Sequence, residues 1–133
     1  MCGINGIWNF DGPKVSHHVI RKMNHKLKHR GPDADGEKVF GNVGLGHSRL
    51  SIIDLDNGKQ PMSNDDKTIF ITYNGEIYNY KKLRDILIDR GYKFYTNSDT
   101  EVLVKCYEEY GTKFINKLRG MFAFCIWDGR KKN

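Results

Sequence analysis

The sequence predicts an α+β fold or a layered sandwich, and three patterns lead to that prediction. Lys67–Tyr73 alternates apolar and polar residues, as a strand with one buried face does. Met121–Trp127 is continuously apolar, which is typical of a strand covered on both faces. Around Val19 and around Leu103, apolar residues recur at helical spacing, so helices should lie between or beside the strands.

The first third of the chain predicts a strand, a helix and a turn. Cys2–Trp8 indicates a short strand, interrupted by glycines that allow close neighbours. Ser16 can cap a helix over His17–His29, because its hydroxyl can accept from a free N–H group of the first turn. Arg30-Gly31-Pro32-Asp33 should end that helix, since glycine and proline break it.

The middle of the chain predicts further strands and loops. Val39–Leu45 indicates a glycine-rich hairpin, and Leu50–Leu55 a short buried strand or extended segment. The polar stretch Asp56–Gln60, followed by Pro61, should be a loop. Asn74-Gly75-Glu76 is a turn-prone triplet, so we expect it to end the strand Lys67–Tyr73.

The last third predicts three helices. A helical pattern begins at Tyr80 and should end at Gly91, which suits a C-terminal cap. Tyr92–Tyr95 is a candidate strand. Ser98 and Glu101 match the capping box of a second helix, and Lys113–Leu118 indicates a further short one.

The chain ends soon after its longest apolar strand. Asp128-Gly129 is placed like a hairpin turn, yet few residues follow it. We therefore expect Met121–Trp127 to lack a partner strand, and the domain to be truncated at its C-terminus. An unpaired apolar edge would be a hazard for aggregation or a surface for assembly.

Composition indicates one globular domain. The chain has 133 residues, of which 38% are hydrophobic and 29% are charged. Because no apolar run approaches the roughly 20 residues of a membrane span, and no signal-peptide pattern opens the chain, we expect a cytoplasmic protein. The net charge of +6 is spread among acidic residues, which favours a solvated surface over a nucleic-acid interface.

The number and spacing of the three cysteines exclude their usual structural uses in disulfide bonds and zinc sites. Cys2, Cys106 and Cys125 are odd in number and widely spaced, so neither a disulfide framework nor a zinc site is expected. Cys106 and Cys125 lie in apolar patterns and should be core residues.

Cys2 follows Met1 directly, and this position has two interpretations. If Met1 is removed, residue 2 carries a thiol and a free α-amine, which titrates near about 7.7–8.0 and can act as the base for the thiol nucleophile. Gly3 would then let a substrate approach the backbone closely. Alternatively, Cys2 is only the second residue of a buried strand.

Other polar residues are candidates for a site that acts on an amino-acid amide. Such a site needs a cation for the α-carboxylate, an anion for the α-ammonium and two donors for an oxyanion. Arg49, Asp99 and the pair Asn74-Gly75 have the right chemistry. Taken singly, each also has a structural explanation. Arg49 could form a salt bridge, Asp99 could be a first-turn helix residue, and Asn74-Gly75 could form a hairpin turn. His47 is more simply a buried, hydrogen-bonded histidine than a catalyst.

Seven motifs recur together in the order of a known family. The sequence resembles the glutaminase domain of glutamine-hydrolysing asparagine synthetases, which are class II (N-terminal nucleophile) glutamine amidotransferases. The resemblance runs from Cys2 to about Asp128. The motifs are Met1-Cys2-Gly3-Ile4, His29-Arg30-Gly31-Pro32-Asp33, Arg49-Leu50-Ser51-Ile52-Ile53-Asp54, Gln60-Pro61-Met62, Tyr73-Asn74-Gly75-Glu76-Ile77-Tyr78-Asn79, Ser98-Asp99-Thr100-Glu101 and Gly120-Met121-Phe122-Ala123-Phe124.

The resemblance implies a four-layer αββα sandwich and a set of roles. Cys2 would be the nucleophile and its own amine the base, with Asn74 and Gly75 as the oxyanion hole. Arg49 would hold the glutamine α-carboxylate, while Asp99 and Glu76 would receive the α-ammonium. The pocket would also be lined by Leu50, Ser51, Ile52 and Ile53. Residues 1–133 would form the N-terminal part of the amidotransferase domain, with later strands and the synthetase domain absent.

The resemblance also implies partners. L-glutamine would be the substrate, and the ammonia would pass to a synthetase domain or subunit that makes asparagine from aspartate. That domain, not this chain, would bind ATP and magnesium. For this chain we expect no metal, nucleic acid or membrane as a partner. A homodimer of the full-length enzyme is an open option. Two alternatives remain: a non-catalytic assembly module, or the glutaminase half of an amidotransferase with another carboxylate acceptor.

Overall fold

Two three-stranded antiparallel sheets form the centre of the computed structural model, which describes residues 1–51 and 58–132. The strands are β1 (Gly3–Trp8), β2 (Ala34–Phe40), β3 (Val43–Arg49), β4 (Met62–Ser63), β5 (Ile69–Ile77) and β6 (Gly120–Asp128). The helices are α1 (His17–Leu27), α2 (Tyr80–Asp89), α3 (Asp99–Tyr110) and a 3₁₀ helix over Gly111–Lys117.

The first sheet has the order β1-β3-β2, with β3 at its centre. β2 and β3 form the predicted hairpin, which is longer than expected because its pairing runs from Phe40 and Val43 to Ala34 and Arg49. All seven residues of β3 are buried. This burial carries Arg49, at the end of the strand, into the interior.

The second sheet has the order β4-β5-β6. β5 is covered on both faces: Ile69 and Ile71 belong to the main core cluster, whereas Phe70 packs against Phe40 of the first sheet, with 4.6 Å between the ring centroids and the rings tilted by 49°. The Thr72 hydroxyl also donates to the Gly46 carbonyl across the two sheets, at 2.9 Å.

The helices complete a four-layer αββα arrangement. α1 packs on the first sheet, the two sheets meet through β1, β3 and β5, and α3 packs on the second sheet with α2 against it. The core between α3 and the second sheet includes Leu87, Leu103 and Phe114, each at most 1% exposed. Burying a side chain of this size contributes about 1.5–3 kcal/mol. The fold class implied by the sequence is confirmed.

Local capping signals place the ends of the helices. The Ser16 hydroxyl accepts from His18 N–H at 3.2 Å, and the Ser98 hydroxyl accepts from Thr100 N–H at 3.0 Å. Gly91, with φ +92°, directly follows Arg90, the C-cap residue of α2, as predicted. α1 ends at Leu27, two residues before the predicted end.

The capping box predicted at Ser98 is only half formed. The Glu101 carboxylate does not bond Ser98 N–H but accepts from Tyr95 N–H at 3.0 Å and from the Thr96 N–H at 2.8 Å. Because these bonds hold the preceding segment in an irregular path, the strand predicted over Tyr92–Tyr95 is wrong.

Asn74-Gly75-Glu76 does not form a turn. The three residues lie inside β5 and pair with Ala123, Phe122 and Met121 of β6. The expectation that Met121–Trp127 lacks a partner strand is therefore wrong for one edge, because β5 pairs along its whole length. At its other edge β6 has no neighbouring strand among residues 1–51 and 58–132.

The prediction that β6 is covered on both faces is also wrong. Phe122, Phe124 and Ile126 pack against the core, whereas Met121 and Cys125 are exposed. Side chains alternate along a strand, and among the described residues no layer covers the second face there. Cys125 is consequently not a core residue, but Cys106 is.

Part of one predicted segment falls outside the described residues. Leu50 and Ser51 follow β3 without regular structure, whereas the rest of the predicted strand Leu50–Leu55 and the start of the loop Asp56–Gln60 lie outside them. Within the part of the chain that the structure describes, no helix is long and apolar enough to cross a bilayer.

Candidate active site

A cleft of about 240 Å³ lies where the ends of β3 and β5 meet the N-terminus of the chain and the start of α3. Seven of the ten residues that the sequence analysis assigned to the site line this cleft: Cys2, Arg49, Leu50, Asn74, Gly75, Glu76 and Asp99. Ser51 lies directly after Leu50, whereas Ile52 and Ile53 lie outside the described residues.

The Cys2 side chain is held against the chain that leaves β3. Its Sγ atom accepts from Leu50 N–H at 3.3 Å and contacts the Leu50 carbonyl oxygen at 3.5 Å. Its own carbonyl accepts from Arg30 Nε at 3.1 Å. The residue after it must be small, because a Cβ on Gly3 would lie 2.8 Å from the Leu27 Cβ atom. The thiol is thus fixed beside the cleft, half-buried and within reach of a ligand.

The corner Arg30–Asp33, predicted as a turn that ends a helix, also organises the site. The Asp33 carboxylate accepts from Ser51 N–H at 2.7 Å, and the Asp33 N–H donates to the Arg49 carbonyl at 3.0 Å. A Cβ on Gly31 would lie 2.0 Å from the Ser48 carbonyl oxygen, so this corner can approach β3 only with glycine there. One short segment therefore positions both the nucleophile candidate and the end of β3.

Arg49 supplies a buried cation at the edge of the cleft. It is the last residue of β3 and is only 6% exposed. The planar fork of a guanidinium suits a carboxylate. Its place at the cleft makes it a candidate for binding an anionic group of a ligand.

Asn74 and Gly75 present an amide and a glycine backbone to the cleft from β5. Asn74 is half-buried, whereas Gly75 and Glu76 are exposed. A Cβ on Gly75 would lie 2.2 Å from the Met121 carbonyl oxygen, so β5 and β6 approach closely there only because the residue is glycine. The pair therefore combines a side-chain amide with backbone that a ligand can reach.

Asp99 is the first residue of α3, and its carboxylate is buried at the cleft. Its Oδ2 atom accepts from the Tyr73 hydroxyl at 2.7 Å and from Ile77 N–H at 3.3 Å. Burial raises the pKa of Asp99, and the hydrogen bonds from Tyr73 and Ile77 act in the opposite direction. The helix N-terminus also favours the anion. The site thus holds an acid group suited to a cationic ligand group.

Gln60 and Tyr73 escaped the sequence analysis as supporting residues of the cleft, whereas the prediction for His47 is confirmed. Gln60 accepts from Tyr73 N–H at 2.6 Å and donates to the Thr100 hydroxyl at 3.3 Å. His47, expected to be a buried hydrogen-bonded residue, contacts the Tyr73 carbonyl through Nε2 at 3.1 Å. Burial lowers the pKa of His47 to about 4, so its ring is neutral at neutral pH. No local pattern predicts these contacts, which join residues 13 to 40 positions apart.

The described site offers a thiol, a cation, two carboxylates and amide donors. Among residues 1–51 and 58–132, no three His, Cys, Asp or Glu side chains are grouped so that they could hold a metal ion. The residues that line the cleft thus fit a small zwitterionic ligand with a reactive carbonyl group.

Comparison with known proteins gives a consistent family. The sequence profile of the glutamine amidotransferase domain matches residues 1–133. The chain is 49% identical over 131 residues to asparagine synthetase [glutamine-hydrolyzing] 1 of Bacillus subtilis (strain 168), covering 96% of this chain and 21% of that protein. It is 43% identical over 134 residues to asparagine synthetase [glutamine-hydrolyzing] 3 of Arabidopsis thaliana, covering 100% and 23%. The chain thus spans about a fifth of the length of these curated relatives.

Solved structures share the fold. Glutamine phosphoribosylpyrophosphate amidotransferase from B. subtilis, complexed with ADP and GMP, superposes with a TM-score of 0.76 at 22% identity, over 97% of this chain and 35% of that one. A structure of the allosteric regulatory enzyme of purine biosynthesis gives a TM-score of 0.75 at 24% identity, over 92% and 34%. At these identities the likeness concerns the fold alone.

Proposed function

This chain belongs to the glutamine amidotransferase domain family, and from that premise we propose that it hydrolyses L-glutamine to L-glutamate and ammonia through a thioester on Cys2. The observation that carries the proposal is the convergence of Cys2, Arg49, Asn74, Gly75 and Asp99 on one cleft. These residues come from four separate parts of the chain.

The first half-reaction transfers the glutamyl group to sulfur. The free α-amine of residue 2 takes the thiol proton, and the Cys2 sulfur attacks the side-chain amide carbon of glutamine. A carbon–sulfur bond forms, and the carbonyl oxygen becomes an oxyanion. The amine then gives its proton to the amide nitrogen, the carbon–nitrogen bond breaks, and ammonia leaves.

The second half-reaction regenerates the thiol. The same amine takes a proton from water, whose oxygen attacks the thioester carbon. The carbon–sulfur bond breaks, glutamate leaves, and the Cys2 sulfur recovers the proton. Both oxyanions would be stabilised by the Asn74 carboxamide and the Gly75 N–H. Losing one donor of such a pair typically costs about 10²–10³ in turnover.

Recognition of the amino acid would use the charged ends of the cleft. Arg49 would bind the α-carboxylate, and Asp99 and Glu76 would receive the α-ammonium. The remaining pocket wall would include Leu50, Ser51, Ile52 and Ile53. Support for Leu50 comes from its contact with Cys2 and its place at the cleft, whereas Ser51, Ile52 and Ile53 stay predictions from the sequence.

The mechanism requires removal of Met1. While Met1 is attached, the nitrogen of Cys2 is an amide nitrogen without basicity, and Met1 itself lines the cleft. Cleavage would free the base and enlarge the cleft in one step. The processed chain is thus the proposed catalyst.

We further propose that residues 1–133 are the N-terminal part of an amidotransferase domain in an asparagine-forming enzyme. The ammonia would pass to an ATP-dependent synthetase domain or subunit that aminates aspartate, as the names of the relatives at 43–49% identity indicate. ATP and magnesium would bind in that domain. The enzyme would act in the cytoplasm, where a reactive thiol stays reduced, and a homodimer is a further expectation.

Release of ammonia from L-glutamine tests the proposal. We expect the processed protein to release ammonia and Cys2→Ala to release none, because Cys2 supplies the only thiol among the described residues that line the cleft. The affinity label 6-diazo-5-oxonorleucine should attach to residue 2, and intact-mass analysis should show the loss of Met1.

Cys125→Ala is the matched control. Cys125 is an exposed thiol outside the cleft, so its removal should leave both hydrolysis and labelling unchanged. Normal ammonia release by the Cys2→Ala protein would refute the mechanism. A processed protein that folds and binds a partner but never hydrolyses glutamine would instead support the assembly-module alternative.

A further inference from the structure

We propose that Tyr73 is a positioning residue: its hydroxyl group holds the Asp99 carboxylate in the orientation that receives the α-ammonium group of the substrate. The inference rests on the proposed function, which gives Tyr73 no role. It assigns selectivity for the amino group to a pair of side chains rather than to Asp99 alone.

The geometry of the pair is that of a fixed carboxylate. The Tyr73 hydroxyl donates to Asp99 Oδ2 at 2.7 Å, and Ile77 N–H donates to the same oxygen at 3.3 Å. Tyr73 and Asp99 are 3% and 6% exposed, yet both line the cleft. Two donors on one oxygen restrict rotation of the carboxylate, so its orientation toward the cleft is set before a ligand arrives.

Tyr73 is itself held at its backbone. Its N–H donates to Gln60 Oε1 at 2.6 Å, and its carbonyl accepts from His47 Nε2 at 3.1 Å. These bonds lie beyond the last pair of the short strand β4, in which Met62 faces Ile71. On the β4 side of Tyr73, these side chains thus take the place of a neighbouring strand, while β6 pairs with Tyr73 on the other side at Phe124. Tyr73 is therefore held at both edges of β5.

The hydrogen bond also affects the charge of Asp99. Burial raises the pKa of Asp99, which disfavours the carboxylate form, whereas the bond from Tyr73 acts against that rise. Burial and the nearby Asp99 charge also raise the pKa of Tyr73, so the phenol keeps its proton and remains a donor. Without the hydroxyl, Asp99 would be both less well oriented and less readily ionised.

A pair of ligands separates this role from a general loss of structure. L-glutamate and glutarate have the same carbon chain and terminal carboxylates, but only glutamate carries the α-ammonium group. If Tyr73 acts through Asp99, its hydroxyl should matter only for glutamate. If it merely supports the fold, both ligands should be affected alike.

The test is the affinity of the full-length protein for both ligands, measured by isothermal titration calorimetry. We expect Tyr73→Phe to weaken L-glutamate binding about tenfold, in the range of one hydrogen bond to a charged group, and glutarate binding less than about twofold. An equal loss for the two ligands, or no loss for L-glutamate, would overturn the inference.

Tyr107→Phe is the matched control. Tyr107 also donates from its hydroxyl to a buried carboxylate, Asp128 Oδ2 at 3.3 Å, but neither residue lines the cleft. This variant should leave the ratio of the two affinities unchanged, and a change as large as that in Tyr73→Phe would count against the proposal.

A second variant restores the donor. Replacement of Tyr73 by 4-aminophenylalanine keeps the ring and an N–H donor at its end, so it should retain the wild-type preference for L-glutamate even if Tyr73→Phe fails to fold. Loss of that preference in the folded amino variant would also overturn the inference. Failure of the wild-type protein to hydrolyse glutamine would refute only the proposed function, because the binding comparison does not depend on turnover.

Discussion

The buried ring of His47 should make the domain less stable in mild acid. His47 is 1% exposed, and its Nε2 atom lies 3.1 Å from the Tyr73 carbonyl oxygen. A carbonyl can only accept, so the neutral ring carries its proton on Nε2. Burial, the largest cause, lowers the pKa of His47 from 6.5 to about 4, and the nearby Arg49 charge acts in the same direction.

The sign and size of the effect follow from the two pKa values. Above 6.5 the ring is neutral in the folded and unfolded states, and His47 contributes no pH dependence. Below 6.5 only the unfolded state binds the proton, so the free energy of unfolding falls until the folded ring is protonated near 4. With one pKa unit worth about 1.36 kcal/mol, the loss is about 1.4 kcal/mol at pH 5.5 and about 2.5 kcal/mol at pH 4.5.

Urea unfolding followed by circular dichroism measures this loss, with His47→Gln as the comparison. The glutamine amide can still donate to the Tyr73 carbonyl but does not titrate. We expect the stability difference between wild type and variant to be constant above about pH 7 and to shrink by about 2.5 kcal/mol toward about pH 4.5. Parallel stability curves for the two proteins would refute the assignment of a neutral buried His47.

Three further changes test the cleft and the sheet that supports it. Arg49→Lys should raise the KM for L-glutamine roughly 10–100-fold in steady-state kinetics with little change in kcat, because an ammonium cannot bind a carboxylate through a planar fork. Gly75→Ala should lower the free energy of unfolding by about 2 kcal/mol or more in urea and abolish ammonia release, because the new Cβ would lie 2.2 Å from the Met121 carbonyl oxygen. Asn64→Ala should cost about 1–3 kcal/mol in thermal or urea unfolding, because Asn64 Oδ1 accepts from the buried Ile69 N–H at 2.9 Å at the start of β5; an unchanged melting curve would contradict it.

Features that depend on local chemistry could be predicted from the sequence. Ser16 and Ser98 were expected to cap helices and do so, because an N-cap needs only a hydroxyl and the N–H groups two or three residues ahead. Gly91 ends α2 for a similarly local reason, since its φ of +92° suits glycine.

Features that depend on distant pairing could not be predicted in the same way. Asn74-Gly75-Glu76 has the composition of a turn, yet it continues β5 because β6, more than 40 residues later, pairs with it. Cys125 was placed in the core because its neighbours are apolar, but the alternation of β6 and the layers around it decide which face is buried. Contacts between distant residues leave no pattern in a short stretch of the sequence.

The candidate site was predicted through its set of motifs rather than through any single residue. Seven assigned residues line the cleft, although Asn74 and Arg49 each had a structural explanation of their own. The supporting residues were missed, because Gln60 and Tyr73 act through buried hydrogen bonds. Asp33 was missed because its hydrogen bond joins it to Ser51, 18 positions along the chain, and a residue in a turn gives no local sign of such a contact.

The contact between Cys2 and Leu50 sets an order of events during synthesis. The two residues are 48 positions apart, so at roughly 5–20 residues per second the ribosome adds Leu50 several seconds after Cys2. During that interval the N-terminus has no groove to enter, and an aminopeptidase can reach Met1 on an extended nascent chain. Proteolytic maturation would therefore precede closure of the cleft, and the nucleophile would reach its folded position already carrying its own base.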